Sequence, residues 1–276
     1  QEFKENLTII EKPKITKCST TKPYTKVTFT PDFKRLGMSE FSDDMISLFQ
    51  KRVYDIAGVT DKKIKVKLNG NVLPINQFEN YVNMYIGDKT DIPRVTEKLD
   101  RWEYTVCISP FDEFRQVSFV NGIYTQKGGK HVDYIINQIT KKMCDLILKK
   151  KKIKVKPISI KEQLFIFVNS TIENPAFDSQ TKDYLNTPVS KFGSTCQVSD
   201  KFINGLVKLG VMNTACALTD LKDKKQSSKT DGNKCKSIRG IPKLVDANYA
   251  GTTKSKSCTL ILCEGDSAKA GIISGL

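Results

Sequence analysis

The sequence predicts an α/β or α+β chain with a mixed sheet, and three observations carry that expectation. Strand and helix patterns alternate from Lys26 to about residue 170. One run, Leu164-Phe165-Ile166-Phe167-Val168, is apolar without a break, as a strand buried on both faces requires. After His131, Val132, Ile135, Ile139, Met143 and Leu146 recur at helical intervals, which supplies a long helix to cover such a sheet.

The elements follow in order. Residues 1 to about 18 are polar and extended, with no core of their own. Val27-Thr28-Phe29-Thr30 alternates as a strand that Pro31-Asp32 turns. Phe41 to Ala57 reads as a helix, with Asp43 and Asp44 in its first turn, Met45, Phe49, Val53 and Ile56 as its apolar stripe, and Gly58 as its stop. Lys63 to Leu68 and Val72 to Ile75, joined by Asn69-Gly70, form a hairpin signal. Phe78, Tyr81, Val82 and Tyr85 mark a short helix. Trp102, Tyr104, Val106 and Ile108 alternate with Arg101, Glu103, Thr105 and Cys107, so this strand is expected to have one wet face, with Phe114 to Val120 paired beside it. A further helix begins at Ser199, with Phe202, Ile203, Leu206 and Val207 on one side. Asp220 to Lys236 is rich in lysine and serine and reads as a linker. Cys258 to Cys263 then forms a buried strand that runs into Glu264-Gly265-Asp266-Ser267-Ala268.

Composition narrows the function classes. The 276 residues suffice for one large or two ordinary domains, 39% are hydrophobic, and no apolar run approaches a membrane span. Gln1-Glu2-Phe3-Lys4-Glu5 does not resemble a secretory signal, and both ends read as cuts through a longer protein. The eight cysteines include no pair two residues apart and there is one histidine, which disfavours a zinc framework or a disulfide scaffold and points to reduced thiols. The net charge of +15 points to a polyanionic partner, nucleic acid first. Solvated surface lysines give the same total, so the distribution of charge has to decide.

Four places carry candidate chemistry. Glu264 follows a strand and precedes a glycine turn, the position where open α/β sheets hold ligands, and a lone carboxylate there suits Mg²⁺. A capped helix after a strand uses the same residue types. Gln180-Thr181-Lys182 offers an amide and an ammonium suited to a terminal phosphate, although an ordinary polar loop has the same composition. Residues 141–156 hold eight lysines against one aspartate, Asp145, and Lys149, Lys150, Lys151 and Lys152 are consecutive. A helix C-terminus favours cations through its dipole, but four in a row exceed that need. Four phosphate contacts would cost about a hundredfold in affinity between 50 and 200 mM salt. His131 lacks a nucleophile or carboxylate at telling spacing and reads as a structural histidine that opens a helix.

These strings carry a family resemblance. Leu262-Cys263-Glu264-Gly265-Asp266-Ser267-Ala268 resembles the opening of the TOPRIM domain of type IIA DNA topoisomerases, and Ile241-Pro242-Lys243-Leu244 with Asp246-Ala247-Asn248 resembles the segment before it in the eukaryotic branch. Gln180-Thr181-Lys182 is similar to the loop by which the transducer domain of these enzymes touches the γ-phosphate of ATP. Lys149 to Lys152 resemble their lysine loop, which in eukaryotic relatives often carries glycines that are missing here. Asn121 to Thr125 with Gly128 to Val132, Tyr54 to Gly58 and Phe192 to Ser194 extend the likeness, which runs from about Lys26 to Leu276.

The resemblance implies the tail of an ATPase domain over residues 1–20 and a transducer domain of the ribosomal S5 domain 2-like type over 21–190. A helical linker with a mobile loop over 191–237 and the start of a TOPRIM domain over 238–276 would follow. It implies double-strand cleavage, strand passage and religation, with ATP and Mg²⁺ as cofactors, double-stranded DNA as partner, a homodimer in the whole enzyme, and a nuclear location (cytoplasmic for a large DNA virus). Gln180, Thr181 and Lys182 would contact ATP. Lys149, Lys150, Lys151, Lys152, Lys243 and Asn248 would contact DNA. Glu264 would hold the metal and share catalysis with residues outside the chain, while the ATP pocket would lie upstream of Gln1. A non-catalytic basic DNA-binding module and a TOPRIM nuclease or primase fragment are the alternatives.

Overall fold

The computed structural model describes residues 1–17, 19, 22–217, 247 and 249–264. Its contacts separate two units, Gln1–Asp88 with Asn121–Tyr124, and Lys89–Val120 with Thr125–Leu276.

In the first unit β1 (Phe3–Lys4) and β2 (Ile9–Ile10) pair antiparallel. Ser42 caps α1 (Asp43–Val59) by accepting a hydrogen bond from the Met45 amide at 3.3 Å, and Asp43 and Asp44 occupy the first turn as expected. The expected hairpin forms over a shorter span, β3 (Lys67–Leu68) with β4 (Asn71–Val72), through Asn69 and Gly70 at φ 51° and 84°. α2 (Phe78–Ile86) buries Phe78, Tyr81, Val82 and Ile86. The Asp55 carboxylate is buried here but not alone: the Tyr81 hydroxyl donates to it at 2.7 Å and the Lys51 ammonium at 2.8 Å. That ammonium also lies 3.8 Å over the Tyr124 ring.

Three expectations for this unit are corrected. Phe49 and Ile56 of the expected stripe are exposed, and α1 buries Asp55, Ala57 and Gly58 instead, because its contact with α2 is made by small residues. Gly58 does not stop the helix; a Cβ there would lie 2.6 Å from Tyr81 Cβ, so the glycine serves close packing. Val27 to Thr30 forms no strand, because among the described residues nothing pairs with it, and Val27 and Phe29 stand exposed.

The second unit contributes four strands of a mixed sheet: β5 (Arg94–Lys98), β6 (Trp102–Ile108), β7 (Arg115–Val120) and, further along the chain, a central strand. The short β8 (Ile123–Tyr124) lies in the stretch assigned to the first unit, and β9 (Gly128–Gly129) precedes the long α3 (Lys130–Lys151) and the short α4 (Pro157–Lys161). The central strand, β10 (Leu164–Ser170), runs antiparallel to β6, with Ile166 opposite Val106, and parallel to β7, with Ile166 opposite Gln116. The order is therefore β5-β6-β10-β7.

Val132, Ile135, Ile139 and Met143 of α3 are buried as expected, and Ile136 and Ile147 join them, while Leu146 is half-buried. They pack with Trp102, Tyr104, Val106, Ile166 and Val168 in one core. After β11 (Tyr184–Leu185), α5 (Asp200–Lys208) starts where Ser199 accepts from the Phe202 amide at 3.0 Å and buries Phe202, Ile203 and Leu206. Phe202 meets the Tyr104 ring edge-on at 5.0 Å.

Here too the structure corrects the sequence reading. Phe114 to Val120 does not pair with β6, since β10 lies between them. The wet face of β6 is confined to its start: Arg101 and Glu103 are half-exposed, whereas Thr105 stands opposite Phe167 and Cys107 opposite Phe165, and both are buried. Cys258 to Cys263 forms no strand among the described residues, and Leu260 and Leu262 are 77% and 87% exposed. A buried strand takes its hydrogen bonds from neighbours, and no described strand edge reaches this segment. The expected linker Asp220 to Lys236 lies outside the described residues.

Gly129 sits at φ 141°, and a Cβ there would come 2.5 Å from the Leu185 amide nitrogen, because β9 and β11 run side by side. Gly129→Ala is expected to destabilise the second unit by about 2 kcal/mol or more. The check is a urea titration followed by fluorescence of Trp102, the chain's one tryptophan, which is buried in this core; an unchanged midpoint would refute it.

Candidate functional site

The loop between β10 and α5 is built by turn chemistry. Its base closes where the Ala176 amide donates to Thr187 Oγ1 at 2.7 Å and the Asn186 amide to the Ala176 carbonyl at 2.8 Å. Phe177 bridges Leu185, and the Tyr184 amide donates to Asp178 Oδ1 at 3.3 Å. At the tip Ser179 Oγ and Thr181 Oγ1 lie 2.9 Å apart, and Thr181 Oγ1 donates to Asp183 Oδ2 at 3.0 Å. Lys127 anchors Asp183 from the neighbouring turn, by its amide on the Asp183 carbonyl at 2.9 Å and its ammonium 3.6 Å from the carboxylate.

This web leaves two side chains over. Among the described residues neither the Gln180 amide nor the Lys182 ammonium has a hydrogen-bond or ion-pair partner. Lys182 is held at φ 59°, a left-handed conformation that a lysine occupies at a cost of about 1 kcal/mol. The loop thus spends Ser179, Thr181 and Asp183 on its own shape and keeps one neutral donor and one cation, two residues apart, free for a ligand. Of the three residues expected to contact ATP, Thr181 is the one whose hydroxyl is already engaged. Lys127, Asp178 and Asp183 were missed by the sequence reading, although the Asp, Ser, Thr and Asp that frame the tip are the residues that build such turns.

The lysine run lies at the other end of the unit's long helix. Lys149, Lys150 and Lys151 form the last turn of α3, and Lys152 is its left-handed cap at φ 59°. Lysine therefore stands in the backbone conformation usually left to glycine. All four are exposed, but Lys151 donates to Asn213 Oδ1 at 2.9 Å. Successive helix residues point about 100° apart, so these side chains fan around the helix end. A rigid duplex approaching from one side meets two or three of them rather than four.

His131 opens α3, as expected, but with only one ring nitrogen accounted for. Its Nε2 lies 3.3 Å from Thr125 Oγ1, while Nδ1 has no partner among the described residues. Burial alone pushes its pKa down to about 3.

Glu264 is exposed, and the described residues contain no cluster of three metal-ligating side chains. Its carboxylate is a hard-oxygen donor of the kind Mg²⁺ takes, but one donor only. Gly265, Asp266, Ser267 and Ala268 lie outside the described residues, as do Lys243 and Asn248. The structure therefore brings together Gln180, Thr181 and Lys182 on one loop and Lys149 to Lys152 on one helix end, and it joins neither group to Glu264.

A mixed sheet backed by one long helix, with a polar loop presenting a free lysine and a helix ending in lysines, defines a basic α/β domain with an exposed cationic loop. The family profile described as DNA gyrase B matches residues 77–230, and the chain belongs to that family. It is 45% identical over 283 residues to the DNA topoisomerase 2 of Arabidopsis thaliana, covering all of this chain and 19% of that protein. With DNA topoisomerase 2 of Saccharomyces cerevisiae it shares 42% over 293 residues, again all of this chain and 20% of the relative. The chain thus spans about a fifth of the length of these curated relatives. Among solved structures, the ATPase and transducer domains of DNA topoisomerase II from Balamuthia mandrillaris align with a TM-score of 0.65 at 38% identity, over 70% of this chain and 49% of that one. The ATPase region of Saccharomyces cerevisiae topoisomerase II aligns with a TM-score of 0.62 at 40% identity, over 69% and 48%.

The buried histidine makes stability depend on pH. The unfolded chain binds a proton near pH 6.5 that the folded chain refuses until about pH 3, so stability falls with pH across that window. Between pH 7.5 and 5 the loss from this group is expected to be about 2 kcal/mol. Urea midpoints at the two pH values, in the wild type and in His131→Gln, measure it. Equal pH dependence in both proteins would show that the histidine is not the source.

Proposed function

We propose that this chain is a segment of an ATP-dependent type II DNA topoisomerase and that it couples ATP binding to the part of the enzyme that cleaves DNA. The observation that carries the reading is the Gln180-Thr181-Lys182 tip, whose framework is internally satisfied and whose amide and ammonium are left free. Such a pair fits a terminal phosphate, and hydrogen bonds to a charged group contribute about 1.5–3 kcal/mol each. Bound phosphate would fix the tip, and its loss would free the tip, an order switch driven by one charge. The names of the relatives, all topoisomerases, support the same activity for the whole protein.

In this reading residues 1–20 close an ATPase domain, 21–190 form the transducer, 191–237 link it onward, and 238–276 open a TOPRIM domain. Glu264 would be one of several carboxylates holding Mg²⁺, which supplies Lewis-acid stabilisation of a phosphodiester. Two or three of Lys149, Lys150, Lys151 and Lys152, with Lys243 and Asn248, would touch double-stranded DNA. A homodimeric enzyme and a nuclear location go with this assignment.

The coupling claim is tested in the full-length protein. Lys182→Ala is expected to lower ATP-dependent strand passage at least tenfold, since a lost charge-assisted bond of the size above amounts to a factor of ten or more. Undiminished strand passage would remove the claim.

The lysine run is tested separately. Changing Lys149 to Lys152 together to alanine is expected to make the salt dependence of DNA binding shallower by about two to three units of log–log slope. A slope unchanged by the substitutions would leave these lysines only their role at the helix end.

A further inference from the structure

Between the loop and α5 the chain runs as a strap, Ser194–Ser199, that pairs with a helix instead of a strand. Phe192, Cys196 and Val198 are buried while Thr195 and Gln197 are exposed, the period of a strand. In a strand the backbone groups of every second residue point the same way. Those of Cys196 and Val198 point at α3, where side chains take them one after another. The Cys196 amide donates to the Tyr134 hydroxyl at 3.2 Å. Gln138 donates to the Cys196 carbonyl at 2.9 Å and accepts from the Val198 amide at 3.2 Å. Lys142 donates to the Val198 carbonyl at 2.7 Å and pairs with Asp200 at 2.8 Å.

The spacing explains why this works. Tyr134, Gln138 and Lys142 are four residues apart, which advances about 6.0 Å per step along one face of a helix. Two residues of an extended chain advance about 6.6 Å. The two rulers drift apart by only about 0.6 Å per rung, and the longest and most flexible side chain, Lys142, serves the last rung. The strap is also held from the sheet. Trp102 Nε1 donates to Ser194 Oγ at 3.0 Å, and Glu97 accepts from both the Ser199 amide, at 3.2 Å, and the Tyr104 hydroxyl. Upstream, six residues that include the 3-10 turn Val189–Lys191 separate the strap from Thr187, where the loop closes. Downstream, Lys151 ties the end of α3 to Asn213, beyond α5.

We propose that Tyr134, Gln138 and Lys142 are positioning residues of a register lock that makes α3, the strap and α5 a single rigid output arm for the Gln180-Thr181-Lys182 loop. The functional half of this inference rests on the coupling reading above; the lock itself does not. Shape and displacement of the arm are set by side chains that touch neither nucleotide nor DNA. A one-rung slip of the strap would move α5 by about 6 Å along α3. The Gln138 amide fits every second residue of an extended strap, and the contacts of Ser194 with Trp102, Ser199 with Glu97 and Asp200 with Lys142 select the observed rung.

Hydrogen–deuterium exchange of the full-length protein, read on the peptide spanning Ser194–Ser199, tests the lock. Gln138→Met, which keeps length and removes both bonds to the strap, is expected to speed exchange of this peptide about tenfold, while peptides from β6 and β10 exchange as in the wild type. Lys142→Met, at the solvent rim, is expected to act in the same direction and serves if Gln138→Met fails to fold. Unchanged exchange in the folded variants overturns the lock. The arm is tested by strand passage per ATP hydrolysed, expected to fall several-fold while hydrolysis without DNA continues. Faster exchange with an unaltered ratio overturns the arm. Lys182→Ala, measured alongside, identifies a failure of the coupling reading: if it too leaves strand passage intact, coupling through the loop is wrong, and the lock is judged on exchange alone.

Discussion

The central strand β10 is the constraint on which the second unit depends. Its backbone is bonded on both sides, antiparallel to β6 and parallel to β7, and Leu164 to Val168 are all buried. A strand with neither a free edge nor a wet face has to be covered above and below. On one side α3 does this with Ile135, Ile139 and Met143 against Ile166 and Val168. The parallel pairing with β7 also requires a long crossover, and the chain between the two strands is where α3 lies. The helix that carries the lysine run at its end is therefore fixed in place by the strand that follows it.

That dependence marks what the sequence made legible. An unbroken apolar run and a long helical stripe are strong local signals, and β10, α3 and the Ser199 cap appear where their residues indicate. The pairing of β7 with β6 failed because adjacency along the chain is a poor guide when a later strand inserts between two earlier ones. The wet face of β6 stops after Glu103 because alternation records residue type, whereas Thr105 and Cys107 are buried by partners, Phe167 and Phe165, that lie about sixty residues away. Val27 to Thr30 and Cys258 to Cys263 have strand-like patterns without a described edge to join, and pattern alone does not create hydrogen-bond partners. At the site, Gln180 and Lys182 were legible as a neutral donor and a cation in a polar loop. The residues that shape their loop were not, since Lys127 reaches Asp183 from a turn more than fifty positions earlier.

The charge on this surface also means less by count than by arrangement. Lys151 is occupied by Asn213, Lys142 by Asp200 and the Val198 carbonyl, and Lys51 by Asp55 and the Tyr124 ring. These lysines serve the fold. Lys149, Lys150 and Lys152 at the helix end, and Lys182 at the loop tip, have no such side-chain partner among the described residues. A net charge of +15 is thus the sum of two populations, and only the geometry separates them.

For a loop to drive an arm, the arm must hold together under the force the loop supplies. In the proposed coupling, two charge-assisted contacts to a phosphate, from Gln180 and Lys182, would be worth together about 3–6 kcal/mol. The strap is held by one bond from Tyr134, two with Gln138, one from Lys142 to backbone, one ion pair at Asp200 and two bonds from the sheet side. At about 1 kcal/mol each, with the exposed ion pair counted low, these come to about 6 kcal/mol. The attachment of the strap therefore matches or exceeds the input. The loop tip, by contrast, holds its lysine in a left-handed conformation and is tied mainly by short polar bonds within itself. In the proposed coupling, loss of phosphate would make the tip yield rather than the strap, and a change of a few kcal/mol at Lys182 would reach α5 without being lost between them.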